Sequence, residues 1–351
     1  MKLSQITTVS RENNLNIIRL IAAISVTFGH SFAMINPTGA HQDLGFGINS
    51  SSFGYCAVAI FFALSGFLIL QSYDRSKTKT SYILARVLRI FPALFFANIV
   101  TAVLVGFFVL KQGFQFFTDP THLKYIFNAT SFSLGNYSDI FKMMPHNSPN
   151  GSLWTLPFEF RYYVLILILG VLGIAKKRFY LVLFLLSVFI SFYLPLPYFL
   201  SNFISHVFKI PNYSATYLSL PLCFVTGMLI YSFQEFFKLN VFAAILCALG
   251  FYFTDQWIIK LLLLIYFVFV LGFYPKLYLS RLNFQKDFSY GIYVLSWPVQ
   301  QTLIYCKVVT EPVTLFLISM SIVTPLAFIS WTFFEAPALK LKSLILKKLS
   351  K

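Results

Sequence analysis

Charge is scarce in this chain, and acid is scarcest. Of 351 residues only 11% are charged, with 11 Asp or Glu against 27 Lys or Arg. Soluble domains carry about 25% charged residues, so a water-facing globular surface is excluded. Cysteine is sparse too. Cys56, Cys223, Cys247 and Cys306 lie in or near apolar runs without metal or redox spacing, which makes packing their first reading and a Cys56–Cys306 disulfide on the outer side the alternative. No HExxH pair, GxSxG elbow, P-loop or dinucleotide fingerprint occurs, which removes those hydrolase and nucleotide chemistries. No internal repeat, heptad array or cleavable signal peptide is read either.

What is present is apolar. The chain is 58% hydrophobic with a mean hydropathy of +0.75, the composition of an all-α, polytopic membrane bundle. It holds ten candidate spans, at about 15–35, 54–72, 89–110, 154–174, 179–194, 215–233, 239–254, 256–273, 288–306 and 312–333. The formal charge of +16 invites a nucleic-acid reading. Against it, the Lys and Arg sit in short gaps between apolar runs, so no nucleic acid is expected. With the N-terminus inside, 19 of the 27 basic residues fall in cytoplasmic segments and five in outer ones. That asymmetry predicts both termini cytoplasmic and an even number of spans. The chain then reads as a single transmembrane domain over 1–351. It has a cytoplasmic segment 1–14, outer segments 36–53 and 111–153, and a basic tail 334–351 that suits the inner leaflet. The long outer segments are either passive connections or the place where an outward substrate is held.

Polar residues inside the spans carry the functional signal. RLIAAISVTFGH opens on Arg19 and closes on His30. Eleven helical steps leave the two about 20° apart in azimuth and about 16 Å apart in depth. They share a face at opposite ends of one span. The alternatives are a snorkelling arginine and an interfacial histidine. RVLRIFP places Arg86 and Arg89 at i, i+3, either as inner-leaflet anchors or as a clamp whose guanidinium forks fit phosphate. GSLWTLPFEFRYY brings Glu159 into the fourth span with Tyr162 and Tyr163 one turn on. A carboxylate at that depth needs a partner, as ion pair or as site. Trp154, Tyr162 and Tyr163 are an aromatic belt or a substrate-binding set. Ser65–Gly66, in VAIFFALSGFLI, is a notch for close helix approach. The remaining histidines, His41, His122, His146 and His206, lie in outer segments without metal spacing.

Taken in order, these segments resemble the membrane-bound acyltransferase 3 family, whose members O-acylate cell-surface glycans and other acceptors. The resemblance rests on Arg19-x10-His30, IFFALSGFLI, RVLRIFP, SLWTLPFEFRYY, SYGIYVLSWPVQQ and FFEAPALKLK, and covers about residues 13 to 345. It implies an acyl-CoA donor, usually acetyl-CoA, arriving from the cytoplasm as a substrate, with no tightly bound cofactor. It implies a glycan or lipid-linked glycan hydroxyl as acceptor on the outer side. The Arg19–His30 pair inherits the family's catalytic signature. Arg86 and Arg89 inherit its second basic motif, and Glu159 the acidic position of its fourth-span motif. Some relatives carry a histidine in the ninth-span motif; Ser296 and Trp297 stand there in this chain, and no catalytic work is assigned to them.

The expected chemistry has three parts. Arg19, Arg86 and Arg89 meet the CoA phosphates. His30 acts as general base on the acceptor hydroxyl. Glu159 holds the imidazole tautomer or the sugar. Transfer through an acyl-histidine is the less favoured route. A bacterial plasma membrane fits the compact chain. A transporter or flippase of a polar or lipid-linked substrate is the alternative that the same spans allow.

Overall fold

The computed structural model describes residues 1–9, 13–35, 53–130, 148–173, 179–183, 186, 215–254, 256–279 and 286–349. Residues 36–52, residues 131–147, most of the fifth predicted span 179–194, and His41, His146 and His206 lie outside them. Among the described residues the regular structure is helical, and the one β-pairing is an isolated bridge between Lys2 and Lys238. Five helical runs are long and apolar enough to cross a bilayer: Leu15–Ile35, Phe53–Arg75, Lys79–Val109, Gly151–Val171 and Pro312–Lys348. Shorter apolar helices, Leu220–Ser232, Val241–Phe253 and Trp257–Phe273, accompany them. All four cysteines are free thiols.

The chain forms two compact units. One comprises Met1–Ile18, Tyr55–Arg75 and Val164–Asn283. It contains α1 (Leu3–Val9), nearly all of α3 (Phe53–Arg75), α7 (Ala215–Ser232), α8 (Val241–Phe253) and α9 (Trp257–Phe273). Asn14 ties its N-terminal segment to the end of α9. Its Nδ2 donates to the Leu271 and Leu277 carbonyls, both at 2.8 Å, and its Oδ1 accepts from the Leu279 amide at 2.9 Å. The Gly66 notch works as its sequence suggests. A Cβ there would stand 1.9 Å from the Phe224 carbonyl oxygen, and one at Gly227 would stand 1.9 Å from that of Ala63. Two backbones meet where neither residue carries a side chain.

The other unit comprises Arg19–Gly54, Ser76–Tyr163 and Phe284–Lys351. It holds the remainder of α2 (Leu15–Ile35), α4 (Lys79–Leu104), α5 (Pro120–Thr130), the first half of α6 (Leu156–Val171), α10 (Ser289–Tyr305), α11 (Pro312–Ile329) and α12 (Ala336–Leu349). Thr78 caps α4, its Oγ1 accepting from the Ser81 amide at 3.1 Å. Past α4 a π-turn, Val105–Val109, leads to Lys111 in the left-handed region at φ 55°. The chain then reverses into a 3-10 helix, Gly113–Thr118, and α5. Phe116, Tyr125 and Ile126 close over Ala102, Val105 and Val109. The first part of the predicted outer segment 111–153 is therefore a helical cap on α4 rather than an open loop.

The basic tail is not a separate element. A π-helix, Ser330–Glu335, joins α11 to α12 without a break. A π-turn inserts one residue into an α-helix and so rotates the helical segment beyond it. Here Ser330 Oγ donates to Glu335 Oε1 at 2.9 Å across the i, i+5 spacing that a π-turn brings into register.

Candidate functional site

Two clusters form along α2, one at each end of the Arg19–His30 stretch, and the segment from Asp287 through α10 supplies a partner at both. At the Arg19 end the partner is Asp287, just ahead of α10. Its Oδ2 accepts from Arg19 Nη1 at 2.7 Å and from Arg89 Nη2 at 2.6 Å. Its Oδ1 accepts from the Ser289 amide at 3.2 Å and from the Ser289 hydroxyl in a short hydrogen bond. Each carboxylate oxygen thus holds two donors, which saturates the group. Asp287 is 8% exposed. Burial by itself pushes its carboxyl up, but the two guanidinium charges and the Ser289 bonds override that and hold it at about 2.

Arg89 is gripped further. Its Nη1 lies 3.7 Å from Glu335 Oε2, and its Cζ stands 5.9 Å from the centroids of both the Tyr290 and Trp331 rings. That distance lies within cation–π reach. Each of the two arginines has an acidic partner that the sequence did not point to. The signal was available: Asp287 and Glu335 belong to the 11 acidic residues of the chain, and each flanks an apolar run.

A tyrosine-rich group adjoins the Arg19 cluster. Arg86 Cζ sits 5.7 Å from the Tyr163 ring centroid. The Tyr163 hydroxyl donates to Glu159 Oε1 in a short hydrogen bond, and the Tyr163 carbonyl accepts from Tyr82 at 3.1 Å. Glu159, Tyr163 and Arg86 form one chain of contacts, the i, i+4 spacing on α6 bringing the first two together. Thr155 and Tyr293 join hydroxyls at 2.6 Å, fixing the start of α6 to the middle of α10. Tyr162 is half-buried on the same helix, and Trp154 meets the Phe158 ring edge-on at 6.1 Å.

At the His30 end the partner is Trp297. The two rings pack edge-to-face with centroids 4.9 Å apart. The backbone at Ser148–Gly151 holds the indole in place. Trp297 Nε1 and Gln301 Nε2 both donate to the Ser148 carbonyl, at 3.4 and 3.0 Å, and Asn150 Nδ2 donates to the Val294 carbonyl at 2.7 Å. Residues 294, 297 and 301 lie on one face of α10. Gly151 must be glycine for this packing, because a Cβ would stand 2.5 Å from the indole. Trp297, which received no role from the sequence, is thus the ring against which the imidazole rests. Ser296 is fully buried and turns its hydroxyl to the Tyr293 carbonyl of its own helix at 3.3 Å.

The contacts run in the same order along both segments, Arg19 to His30 on α2 and Asp287, just ahead of α10, to Trp297 on it. Eleven and ten residues correspond to about 16 and 15 Å. The arrangement can hold a charged group at one end and manage a proton at the other. Among the described residues no group of three His, Cys, Asp or Glu side chains gathers as for a metal.

The family model for an acyltransferase domain, acyltransferase 3, matches residues 12–332. An O-acetyl transferase of Shigella phage Sf6 is 29% identical over 300 residues, covering 84% of this chain and 86% of its own length. Nodulation protein 10 of Rhizobium leguminosarum bv. viciae is 34% identical over 168 residues, 43% of this chain and 42% of the relative. No solved structure matches.

Proposed function

The chain belongs to the acyltransferase 3 family, and from that premise we propose that it moves an acetyl group from cytoplasmic acetyl-CoA to a glycan hydroxyl outside a bacterial plasma membrane. The family makes it an enzyme, and the transporter reading of its spans gives way. The apolar helices make it a multi-pass membrane protein. The Shigella phage relative supports O-acetylation as the chemistry. Ten spans with both termini inside, and a glycan or lipid-linked glycan acceptor, complete the reading.

The observation that carries it is the two-ended site on α2: Arg19 held by Asp287 at one end, His30 held by Trp297 at the other. The length between them suits the arm that joins the CoA phosphates to the thioester. His30, neutral, takes the proton from the acceptor hydroxyl as its oxygen attacks the thioester carbonyl carbon. A C–O ester bond forms, the C–S bond breaks, and the proton passes from the imidazolium to the departing thiolate, leaving acetylated glycan and CoA. Trp297 keeps the imidazole from turning away. Asp287 positions Arg19 and Arg89, and Glu159 acts through Tyr163 on the tyrosine-rich group that the donor arm crosses.

The test is acetyl transfer from labelled acetyl-CoA to surface polysaccharide in membranes. His30→Ala should lower kcat at least about 100-fold, the weight of a general base. A variant that inserts normally and transfers at the wild-type rate defeats the proposal.

A further inference from the structure

Pro298 stands inside α10 and interrupts its hydrogen-bond ladder. In an α-helix the amide of residue 298 would donate to the carbonyl four residues earlier, that of Val294, but proline has no N–H. Val294 is fully buried, so water does not replace the missing donor. A buried carbonyl without a donor is costly. The donor comes from outside the helix: Asn150 Nδ2 reaches the Val294 oxygen at 2.7 Å. Asn150 is itself only 1% exposed.

Asn150 can serve here because its carboxamide has two ends. Its Oδ1 accepts from the Ser152 amide at 3.1 Å and caps the 3-10 helix Gly151–Thr155. Its Nδ2 is left to donate to α10. Serine caps equally well but is too short to span to Val294, and an ionised aspartate has no proton to give. The bond seats Ser148–Gly151 on the turn of α10 that carries Trp297. The Ser148 carbonyl then accepts from Trp297 Nε1 at 3.4 Å and from Gln301 Nε2 at 3.0 Å. The indole bond is the long one, so it depends on a carbonyl that shorter bonds hold in place. Trp297 in turn packs against His30 at 4.9 Å. His30, Ser148, Asn150, Val294, Trp297 and Pro298 all belong to one compact unit.

We propose that Asn150 is a positioning residue for His30: it docks on the carbonyl that Pro298 leaves free and, through Ser148 and Trp297, fixes the imidazole for its proton transfer. This rests on the general-base reading above. Residues 148–151, the end of the predicted outer segment 111–153, then serve the reaction instead of only connecting two spans.

Acetyl transfer to surface polysaccharide is measured in membranes holding the full-length protein. Asn150→Ser keeps the cap and loses the donor. It is expected to lower kcat about tenfold, with the acetyl-CoA KM changed by less than about twofold. Pro298→Ala returns an amide to the Val294 carbonyl. Adding it to Asn150→Ser is expected to restore the apparent Tm, while kcat stays about tenfold below that of Pro298→Ala alone. If kcat returns together with Tm, Asn150 only satisfies a carbonyl and the proposal falls. In a Trp297→Leu background Asn150→Ser is expected to lower kcat by less than about twofold, because both changes act through one indole. A full loss there overturns the proposal as well. A second readout needs no acetyl transfer. His30 is labelled with diethyl pyrocarbonate in detergent and its peptide is followed by mass spectrometry. Asn150→Ser is expected to speed that labelling about threefold, the weight of one edge-to-face contact. An unchanged labelling rate overturns the positioning role whatever the reaction is. A wild type that transfers no acetyl group overturns the proposed function, a different result from any variant effect.

Discussion

Asp287 is the residue whose removal should be felt most widely. It joins two arginines from different helices to the start of a third, and breaking a buried pair leaves uncompensated charge. Asp287→Ala is expected to destabilise the protein by about 3 kcal/mol and to raise the acetyl-CoA KM, read by thermal unfolding in detergent and by transfer kinetics. Its pH behaviour has a definite sign. The folded value, about 2, lies below the unfolded value of about 3.9. Its contribution is therefore complete above about pH 4 and is lost as pH falls through about 2. Between pH 5 and 9 it stays charged, so a limb of the rate profile in that range is not its titration, and Asp287→Asn should leave the position of such a limb unchanged. At the other end of the site, Trp297→Phe keeps a ring for the imidazole and should retain most of kcat. Trp297→Leu removes the edge-to-face contact, worth about 1 kcal/mol, and should lower kcat more than the acetyl-CoA KM changes.

At the scale of elements, the π-helix Ser330–Glu335 sets the phase of everything after it. Deleting Thr332 from it should restore α-helical register and rotate α12 by about 100°. Glu335 then leaves the α4 face and its ion pair with Arg89. The expected outcome is a membrane-inserted protein with a much higher acetyl-CoA KM, separable from misfolding by its unchanged kinetics with S-acetyl pantetheine. The glycine notch makes a different prediction. Gly66→Ala drives a Cβ into the Phe224 carbonyl, which no rotamer change can relieve. Overpacking of this kind costs about 2 kcal/mol, so the apparent Tm should fall. Both elements were only partly legible beforehand. The notch showed in the sequence because small residues in an apolar helix have few other uses. The π-turn did not, because no residue pattern in SWTFFE separates it from the α-helix on either side.

For the whole molecule, the sign and placement of charge are the main evidence for orientation. With 19 of 27 basic residues in the proposed inner segments, tags at both termini should be protected from an impermeant outer reagent and become accessible on permeabilisation. A C-terminal tag accessible from outside would make the span number odd.

The sequence by itself determined the membrane class, the helical architecture and the residues on the α2 face, because apolar composition, basic asymmetry and helical periodicity are local properties read along one chain. It also marked Arg86, Arg89 and Glu159 as polar groups needing a reason to lie where they do. Their partners were decided only by tertiary structure. Asp287 lies 268 residues from Arg19 in sequence, and Trp297 reaches His30 from another helix. Glu335 looked like the start of a basic tail. Only the packing of the last helices on α4 turns it inward to Arg89, since helical phase across a π-turn and contacts between distant helices are not local properties of any stretch of sequence.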